Sequence, residues 1–295
     1  MKVVIAGARG FIGSYLTQFF RGRGDEVVAL SRHPRPGESF WDPIERKIDP
    51  SALLGADCVI NLAGESVMGR WSKKKYFRIR QSRLTATAFL STTLCKLATP
   101  CPLYIGASAI GYYGDRGDEH LTEESPPGHG ALATLCQSWE RATAELGAKG
   151  TRVVLMRLGM VLGDGGALKE MMGPFRLGLG GRLGSGKQGV SWIAIDDVAA
   201  AIVHLMQTPA LHGPINCVAP HPVTNAELTK SLGRLLHRPT FFTIPAPLLR
   251  LLLGAGALVV LASNFVFPKR LLATGFSFAY PTLESALRKY LNRNQ

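Results

Sequence analysis

The chain has 295 residues, of which 46% are hydrophobic and 19% are charged. This composition excludes a disordered protein, and the length suffices for one large domain or two unequal ones. The formal net charge of +13 suits anionic ligands. The basic residues are spread along the chain and form no known nucleic-acid-binding motif, so we expect no nucleic-acid partner.

The beginning of the chain carries a nucleotide-binding pattern. The apolar run at residues 2–6 predicts a buried strand. It is followed at once by the turn Gly7-Ala8-Arg9-Gly10-Phe11-Ile12-Gly13. The apolar spacing over residues 12–20 then predicts an amphipathic helix. Strand, glycine-rich turn and helix in this order are typical of a dinucleotide-binding site, with the pyrophosphate at the helix N-terminus.

Each glycine of this turn has a separate task. Gly7 permits the tight turn, Gly10 has no side chain to keep a pyrophosphate from the backbone, and Gly13 lets the helix pack close to the strand. The cofactor-binding residues expected in the turn are Gly7, Arg9, Gly10, Phe11, Ile12 and Gly13.

The end of the second predicted strand, residues 26–30, indicates which nicotinamide cofactor is bound. NAD-selective enzymes usually have an acidic residue there, whereas this chain has Ser31 and Arg32. Arg9 in the glycine turn adds a second cation. Guanidinium groups offer paired donors to phosphate oxygens, so these residues favour the 2′-phosphate of NADP over NAD. The alternative is that both arginines are solvated surface charges.

Strands and helices alternate along the first two thirds of the chain. Predicted strands cover 57–62, 103–107 and 152–158, and predicted helices cover 73–98, 130–149 and 196–206. This alternation implies a parallel sheet with helices on both faces. Regular structure is expected to be interrupted over the glycine- and proline-rich residues 159–189.

The pattern changes near residue 220 and becomes mostly helical. Predicted helices cover 225–236, 247–262 and 283–291, and a predicted strand covers 240–244. We therefore predict an α/β fold, a Rossmann-type doubly wound parallel sheet with a smaller, mostly helical C-terminal substrate domain. The dinucleotide-binding domain is assigned to 1–165, with 190–218 returning to it, and the smaller domain to 166–189 and 219–295.

Other features bear on location and metals. The five cysteines form no Cys-x-x-Cys pair and leave one over in any pairing, which favours reduced thiols. The N-terminus lacks a signal-peptide pattern, and the longest apolar stretch, 248–262, is shorter than the roughly 20 residues of a membrane-spanning helix. We expect a cytoplasmic protein without membrane association. Histidines and cysteines show no metal-binding spacing, so no metal is expected.

Several motifs together resemble the extended short-chain dehydrogenase/reductases. They are the glycine turn, Asn-Leu-Ala-Gly at 61–64, Ser108 with Gly-Tyr-Tyr-Gly at 111–114, and Trp-Ile-Ala-Ile-Asp-Asp-Val at 192–198. Nearly the whole chain is similar to an atypical group of that superfamily, the epimerase family of NAD(P)-dependent sugar-nucleotide epimerases. Further motifs of this group are Arg70-Trp71, Ser82-Arg83, the segments 174–181 and 183–186, 222–225 and 272–276.

The resemblance implies roles for particular residues. Leu62, Ala63 and Gly64 would pass beneath the adenosine and ribose of the cofactor. Ser108 would hydrogen-bond the reacting oxygen, at the carboxyl end of a strand, where open α/β sheets place their ligands. The alternative for Ser108 is a small residue that merely fits the strand end.

The chain departs from the superfamily in its catalytic pair. The usual Tyr-x-x-x-Lys places a phenol and an ammonium on one helix face, where the ammonium lowers the phenol's pKa. Placing Glu140 at the superfamily's acidic position sets Leu132 where the tyrosine belongs and Cys136 where the lysine belongs. No Tyr-x-x-x-Lys occurs anywhere in the sequence. Met160 also replaces the asparagine that binds sugar nucleotides, which weakens that substrate assignment.

Two functions remain open from the sequence. The first is an NADP-dependent oxidoreductase or epimerase acting on a small, anionic or sugar-like molecule, with Ser108 and Tyr113 as catalytic residues. Tyr112 is an alternative acid, and both rings could instead pack against their loop. Arg176 and Lys187 are expected to border the substrate pocket. The second function is an NADP(H)-binding sensor or partner-binding module without the standard chemistry. The sequence does not indicate an oligomeric state.

Overall fold

The computed structural model describes residues 1–292. The strands are β1 (Lys2–Ala6), β2 (Glu26–Ser31), β3 (Glu38–Asp42), β4 (Lys47–Ile48), β5 (Cys58–Asn61), β6 (Leu103–Ala109), β7 (His120–Leu121), β8 (Arg152–Leu158), β9 (Met160–Leu162), β10 (Gly181–Leu183), β11 (Gly189–Val190), β12 (Trp192–Ala194), β13 (Gly213–Cys217), β14 (Val223–Thr224), β15 (Phe242–Ile244) and β16 (Phe265–Val266). The helices are α1 (Phe11–Gly22), α2 (Lys73–Leu94), α3 (Ala131–Arg141), α4 (Ala144–Ala148), α5 (Gly166–Arg176), α6 (Ile195–Gln207), α7 (Asn225–Leu235), α8 (Ala246–Leu253), α9 (Ala257–Leu261), α10 (Lys269–Ala273) and α11 (Leu283–Asn292).

The main sheet has eight strands in the order β13-β8-β6-β5-β1-β2-β3-β4. All neighbours pair in parallel except β3 and β4, which are antiparallel. The chain leaves β1 toward β2 and β3 on one side and returns through β5 on the other. Strand order thus reverses between β1 and β5, and ligands of open α/β sheets bind at such a reversal. The predicted Rossmann-type fold is confirmed.

Apolar side chains alternate between the two faces of the sheet. Val3 and Ile5 of β1 pack with Leu16 of α1 in one core. Val4 packs on the opposite face with Leu90 of α2 in a second core. Burial on both faces explains why β1 is a continuous apolar run instead of an alternating one.

A third core lies toward the C-terminus. Phe175 of α5, Leu232 of α7 and Leu287 of α11 pack together with the fully buried Trp192. Trp192 opens β12, which pairs in parallel with β9 beside the main sheet. The C-terminal region is mostly helical, as predicted, while the division of the chain into two domains stays a prediction.

Two predicted helices are broken, and the prediction of unbroken helices there was wrong. The helix predicted over 130–149 divides into α3 and α4 because the Glu140 carbonyl accepts both the N–H and the hydroxyl of Thr143, at 3.2 and 2.8 Å. The helix predicted over 247–262 divides into α8 and α9 at Gly254, which has φ +58°. Trp71 donates its N–H to the Leu253 carbonyl at 2.8 Å, so a loop from the sheet is inserted at this break.

The glycine-rich segment is more regular than its composition indicates. Residues 159–189 contain α5 as well as the short strands β9 and β10, although interruption was expected there. Strands β3 and β4 at one edge of the sheet and β13 at the other were not predicted. Edge strands carry weak apolar patterns, since they are covered less completely than central strands.

Candidate functional site

The glycine turn lies where β1 and β5 meet. Gly7 has φ +83°, a conformation that side chains with a Cβ rarely adopt. A Cβ at Gly7 would lie 2.8 Å from the carbonyl carbon of Leu62 and 2.9 Å from the nitrogen of Ala63. The turn therefore touches the end of β5, and the two predicted cofactor segments come together at the strand-order reversal.

The beginning of α1 fits a pyrophosphate. Gly10 is its N-cap and supplies no side-chain cap, so the first N–H groups of the helix are left for another acceptor. A Cβ at Gly10 would lie 3.3 Å from the Gly7 carbonyl oxygen and would fill the cradle. The Phe11 ring approaches so closely that a Cβ at Gly163 or Gly165 would lie 2.9 or 2.6 Å from it. Phe11 thus connects this turn to the glycine-rich segment.

The end of β2 presents a cation beside a neutralised acid. Arg32 is exposed, and no hydrogen bond or ion pair of its side chain is seen within residues 1–292. Arg9 instead donates to both carboxylate oxygens of Glu38, at 3.2 and 2.5 Å, and to the His33 carbonyl at 2.7 Å. The hydrogen bond from Arg9 holds the pKa of Glu38 below its ordinary value. Ser31 accepts a hydrogen bond from the His33 N–H at 3.2 Å.

Sequence reasoning missed Glu38. It opens the unpredicted strand β3, 29 residues from Arg9, so no local pattern connects the two. A free carboxylate here would repel a phosphate, and the pairing with Arg9 removes that repulsion. The direct contact of Arg9 with the 2′-phosphate stays a prediction; its guanidinium is bonded here to Glu38 and the His33 carbonyl.

The end of β5 is held by a buried amide. Asn61 donates to the hydroxyls of Thr87 and Tyr104, at 3.1 and 2.9 Å. Its side-chain oxygen accepts the N–H of Ala63 at 3.1 Å. These bonds fix the backbone from Leu62 to Gly64, where Leu62 and Ala63 are half-buried and Gly64 is exposed.

The end of β6 leads into a buried ion pair. Ser108 is 3% exposed and donates its hydroxyl proton to Glu140 at 2.7 Å. Arg157, 2% exposed, donates to both carboxylate oxygens of Glu140 at 2.9 Å. Burial lowers the pKa of Arg157, but the hydrogen bonds to Glu140 and Tyr113 and the charges of both groups together outweigh it and raise that pKa above its ordinary value. The Ser108 proton is thus directed at a carboxylate that is itself neutralised.

The two tyrosines after Ser108 lie against the same arginine. The Tyr113 side chain is fully buried, donates to the amide oxygen of Asn216 at 2.7 Å and accepts from Arg157 at 3.0 Å. Burial raises the pKa of Tyr113, although the charge of Arg157 opposes the rise. The Tyr112 ring centroid is 3.4 Å from the guanidinium carbon of Arg157. Catalytic roles for Ser108 and Tyr113 stay predictions, and Tyr113 would have to exchange its Asn216 partner for a substrate.

The hydrogen-bonded series continues beyond Asn216. The Asn216 N–H donates to Glu123 at 3.0 Å, and the same oxygen accepts the Arg270 N–H at 3.4 Å. The other Glu123 oxygen is buried without a partner among the residues described, and burial raises the pKa of this carboxyl. The series therefore couples the end of β6 to α10 in the C-terminal region.

The positions of the usual catalytic pair hold side chains without proton chemistry. Leu132 is half-buried and lies 3.6 Å from an ideal Cβ at Gly111. Cys136 is buried, and burial raises the pKa of its thiol to about 12. This thiol stays protonated near neutral pH, so it is a weak nucleophile and a weak acid.

Two cavities open near the C-terminal helices. One, of about 610 Å³, has Asp115, Gln188 and Arg250 among its polar lining residues, and its apolar wall comes from α8 and α9. The other, of about 620 Å³, is lined by residues 115–116 and 126–130. Arg176 and Lys187 are exposed and line neither cavity. Their expected place beside the substrate stays a prediction.

Within 1–292 there is no group of three or more His, Cys, Asp or Glu side chains arranged to hold a metal ion. None of the helices in this part of the chain combines the length and hydropathy needed to cross a membrane.

Comparisons with known proteins give consistent matches. The model of the NAD-dependent epimerase/dehydratase family matches residues 3–217, and a domain of unknown function matches residues 244–290. The epimerase family protein SDR39U1 of Mus musculus is 38% identical over 294 residues, covering 98% of this chain and 99% of that protein. An epimerase family protein of Mycobacterium bovis is 40% identical over 290 residues, covering 97% of this chain and 96% of that protein. The crystal structure of human epimerase family protein SDR39U1 with NADPH superposes with a TM-score of 0.91, at 36% identity and 99% coverage of both chains.

Proposed function

Because this chain belongs to the NAD-dependent epimerase/dehydratase family, we propose that it binds NADP(H) for oxidoreductase or epimerase chemistry on a small, anionic or sugar-like substrate. The glycine cradle at the strand-order reversal carries this proposal, together with the nearby Arg32, whose side chain has no partner among residues 1–292. A relative with 36% identity over nearly the whole chain was crystallised with NADPH, which supports the choice of NADP over NAD.

The proposed cofactor site combines three segments. The pyrophosphate would lie on the turn formed by Gly7, Gly10, Phe11, Ile12 and Gly13. The adenosine and ribose would lie over Leu62, Ala63 and Gly64. The 2′-phosphate would be held by Ser31 and Arg32, while Arg9 keeps Glu38 neutralised. When bound, the reduced cofactor supplies a hydride, and the protein supplies position and electrostatics.

Ser108 is the proposed partner of the substrate oxygen. When the hydride reaches a substrate carbonyl, its oxygen takes up a proton. The Ser108 hydroxyl, now bonded to Glu140 at 2.7 Å, can turn to donate a hydrogen bond to that oxygen, and the proton comes from Tyr113 or water. Arg157 would keep Glu140 in place through its two hydrogen bonds. Tyr113, whose hydroxyl accepts a hydrogen bond from Arg157, is the second proposed catalytic residue. In the proposed domain division, the substrate lies between 1–165 with 190–218 and the smaller unit formed by 166–189 and 219–295.

The cofactor proposal predicts a preference that depends on Arg32. NADPH should bind more tightly than NADH. Arg32→Ala should weaken NADPH binding about 10- to 100-fold, since it removes charge-assisted hydrogen bonds to phosphate, and should leave NADH binding unchanged. Calorimetric titration with both cofactors measures this, and Arg21→Ala, exposed at the other end of α1, is the matched control. Equal affinities of the unmodified protein for NADPH and NADH would contradict the assignment.

The catalytic proposal predicts that turnover depends on Ser108. A panel of carbonyl compounds and sugar nucleotides, followed by NADPH absorbance, identifies a substrate. Ser108→Ala should then lower kcat about 100-fold or more, because it removes the hydrogen bond that would assist charge and proton uptake at the substrate oxygen. Tyr113→Phe should lower kcat as well, whereas Ser138→Ala, on the same helix as Glu140 but bonded to the Thr134 carbonyl, should not. Full activity in both Ser108→Ala and Tyr113→Phe would place the chemistry elsewhere.

The second candidate function is an NADP(H)-binding sensor or partner-binding module. It is favoured by Leu132 and by Cys136, whose thiol pKa is raised to about 12 by burial, and by the Tyr113 hydroxyl, which is already bonded on both sides. Tight NADPH binding without turnover across the whole panel would select this function over the enzyme.

A further inference from the structure

One cation outside the described network lies at the exposed end of β5. Arg83 extends from α2 and donates through Nη1 to the carbonyls of Glu65 and Ile79, at 2.8 and 3.2 Å. An ideal Cβ at Gly64 would lie 3.1 Å from its guanidinium carbon and 3.2 Å from Nη1. Glycine at this position therefore makes room for the guanidinium against the strand end.

The same guanidinium also approaches α3. Its carbon is 5.1 Å from the ring of Trp139. Its charge acts on Cys136, where it opposes the rise of the thiol pKa that burial causes. Cys136 occupies the position at which the superfamily has its lysine. The cation Arg83, contributed by α2, therefore lies near Cys136, the position at which α3 carries no lysine.

Arg83 keeps its charge and has donors to spare. Burial lowers its pKa, yet a guanidinium remains protonated at any pH at which the protein is folded. Both hydrogen bonds seen within residues 1–292 use Nη1, and Nε and Nη2 have no acceptor among those residues. Neighbouring hydroxyl groups on one sugar ring are acceptors that the fork of a guanidinium can bridge.

The position of Arg83 indicates which half of the cofactor it serves. Gly7 meets β5 at Leu62 and Ala63, so the pyrophosphate end of the site is before Gly64. Arg83 lies beyond Gly64 toward α3, against Trp139, and its charge acts on Cys136, as does that of Glu140, the partner of Ser108. In the proposed cofactor orientation this is the reacting side of the site and not its adenosine side.

We propose that Arg83 binds the nicotinamide riboside half of NADP(H), through the ribose hydroxyls, from beside Cys136, the α3 position at which the superfamily has its lysine. The proposal rests on the proposed NADP(H) binding. It makes Arg83 a cofactor-positioning residue contributed by a different helix. Without the lysine the protein would lack an activated phenol, but it would still bind the cofactor through Arg83.

Two ligands test this proposal. Adenosine 2′,5′-bisphosphate carries the adenosine and 2′-phosphate of NADPH but lacks nicotinamide riboside. Arg83→Gln should weaken NADPH binding about tenfold or more, since a charged hydrogen bond is lost, and should leave the bisphosphate affinity within about twofold. Arg80→Gln, an exposed arginine on α2, should change neither affinity. Unfolding midpoints without ligand confirm that each variant is folded.

The outcomes separate the two proposals. If the wild type binds the bisphosphate and NADPH, but Arg83→Gln weakens both equally or neither, Arg83 only supports the strand end and the inference is overturned. If the wild type binds neither ligand, the proposed function itself fails.

A second variant tests the replacement of the lysine. Adding Cys136→Lys to Arg83→Gln should restore at least half of the lost NADPH affinity on a logarithmic scale, whereas adding Cys136→Ala should not. A folded double variant with lysine that binds as weakly as Arg83→Gln would overturn the placement at α3. If that double variant does not fold, the ratio of the two ligand affinities in Arg83→Gln decides.

Discussion

Replacing Arg157 with methionine should lower the free energy of unfolding by about 3–5 kcal/mol, because it leaves the Glu140 carboxylate partly buried without its ion pair. Both carboxylate oxygens of Glu140 now accept from Arg157 at 2.9 Å, and the Arg157 side chain is 3% exposed. The same change also removes the donor to the Tyr113 hydroxyl. Denaturant unfolding at neutral pH measures the loss.

Two variants test whether the unpaired Glu140 carboxylate causes the loss of stability in Arg157→Met. Arg141→Met removes an exposed arginine of α3 that donates only to Gln137 among the residues described, so it should cost under about 1 kcal/mol. Adding Glu140→Leu to Arg157→Met should recover part of the stability, since replacing both partners of a buried pair is far less harmful than removing one. A double variant less stable than Arg157→Met would show that packing, and not the lone carboxylate, dominates.

The cofactor turn could be predicted because its information is local. Gly7, Gly10 and Gly13 stand between a strand and a helix whose patterns are both clear, and the structure brings them to the strand-order reversal. Leu62 and Ala63 are 55 residues or more beyond Gly7 in the chain, and only the resemblance to a family connected them to it. The contact between the two segments follows from the parallel pairing of β1 and β5.

The polar network could not be predicted, because its members come from distant elements. Tyr113 and Asn216 are 103 residues apart, and Ser108 and Glu140 are 32 apart. Each residue taken alone fits an ordinary structural role. Burial on both faces of the sheet forces these polar groups to find one another, since an unpartnered buried polar group costs about 1–3 kcal/mol. Which buried polar groups must be hydrogen-bond partners can be worked out only when the order of the strands is known.

The close packing of Gly13 against the glycine turn predicts that one added methyl group has a large effect on NADPH binding and stability. Gly13→Ala should weaken NADPH binding roughly a hundredfold and lower stability by about 1–3 kcal/mol. The new Cβ would overlap the Gly7 carbonyl oxygen and lie 2.8 Å from the Cα of Ala8. Both neighbours are backbone atoms, so α1 has to move away from the turn that presents its N–H groups to the pyrophosphate. Calorimetric titration with NADPH measures the affinity.

The matched control is Gly22→Ala in the same helix. An ideal Cβ at Gly22 meets no atom within 4 Å, so alanine fits there without displacement. Alanine is also the better helix former, and this variant should be as stable as the wild type or slightly more so, with unchanged NADPH affinity. If Gly13→Ala bound NADPH as tightly as Gly22→Ala, the pyrophosphate would not lie at the beginning of α1. The adenosine assignment at the end of β5 would then lose its support as well, because the two segments meet at Gly7.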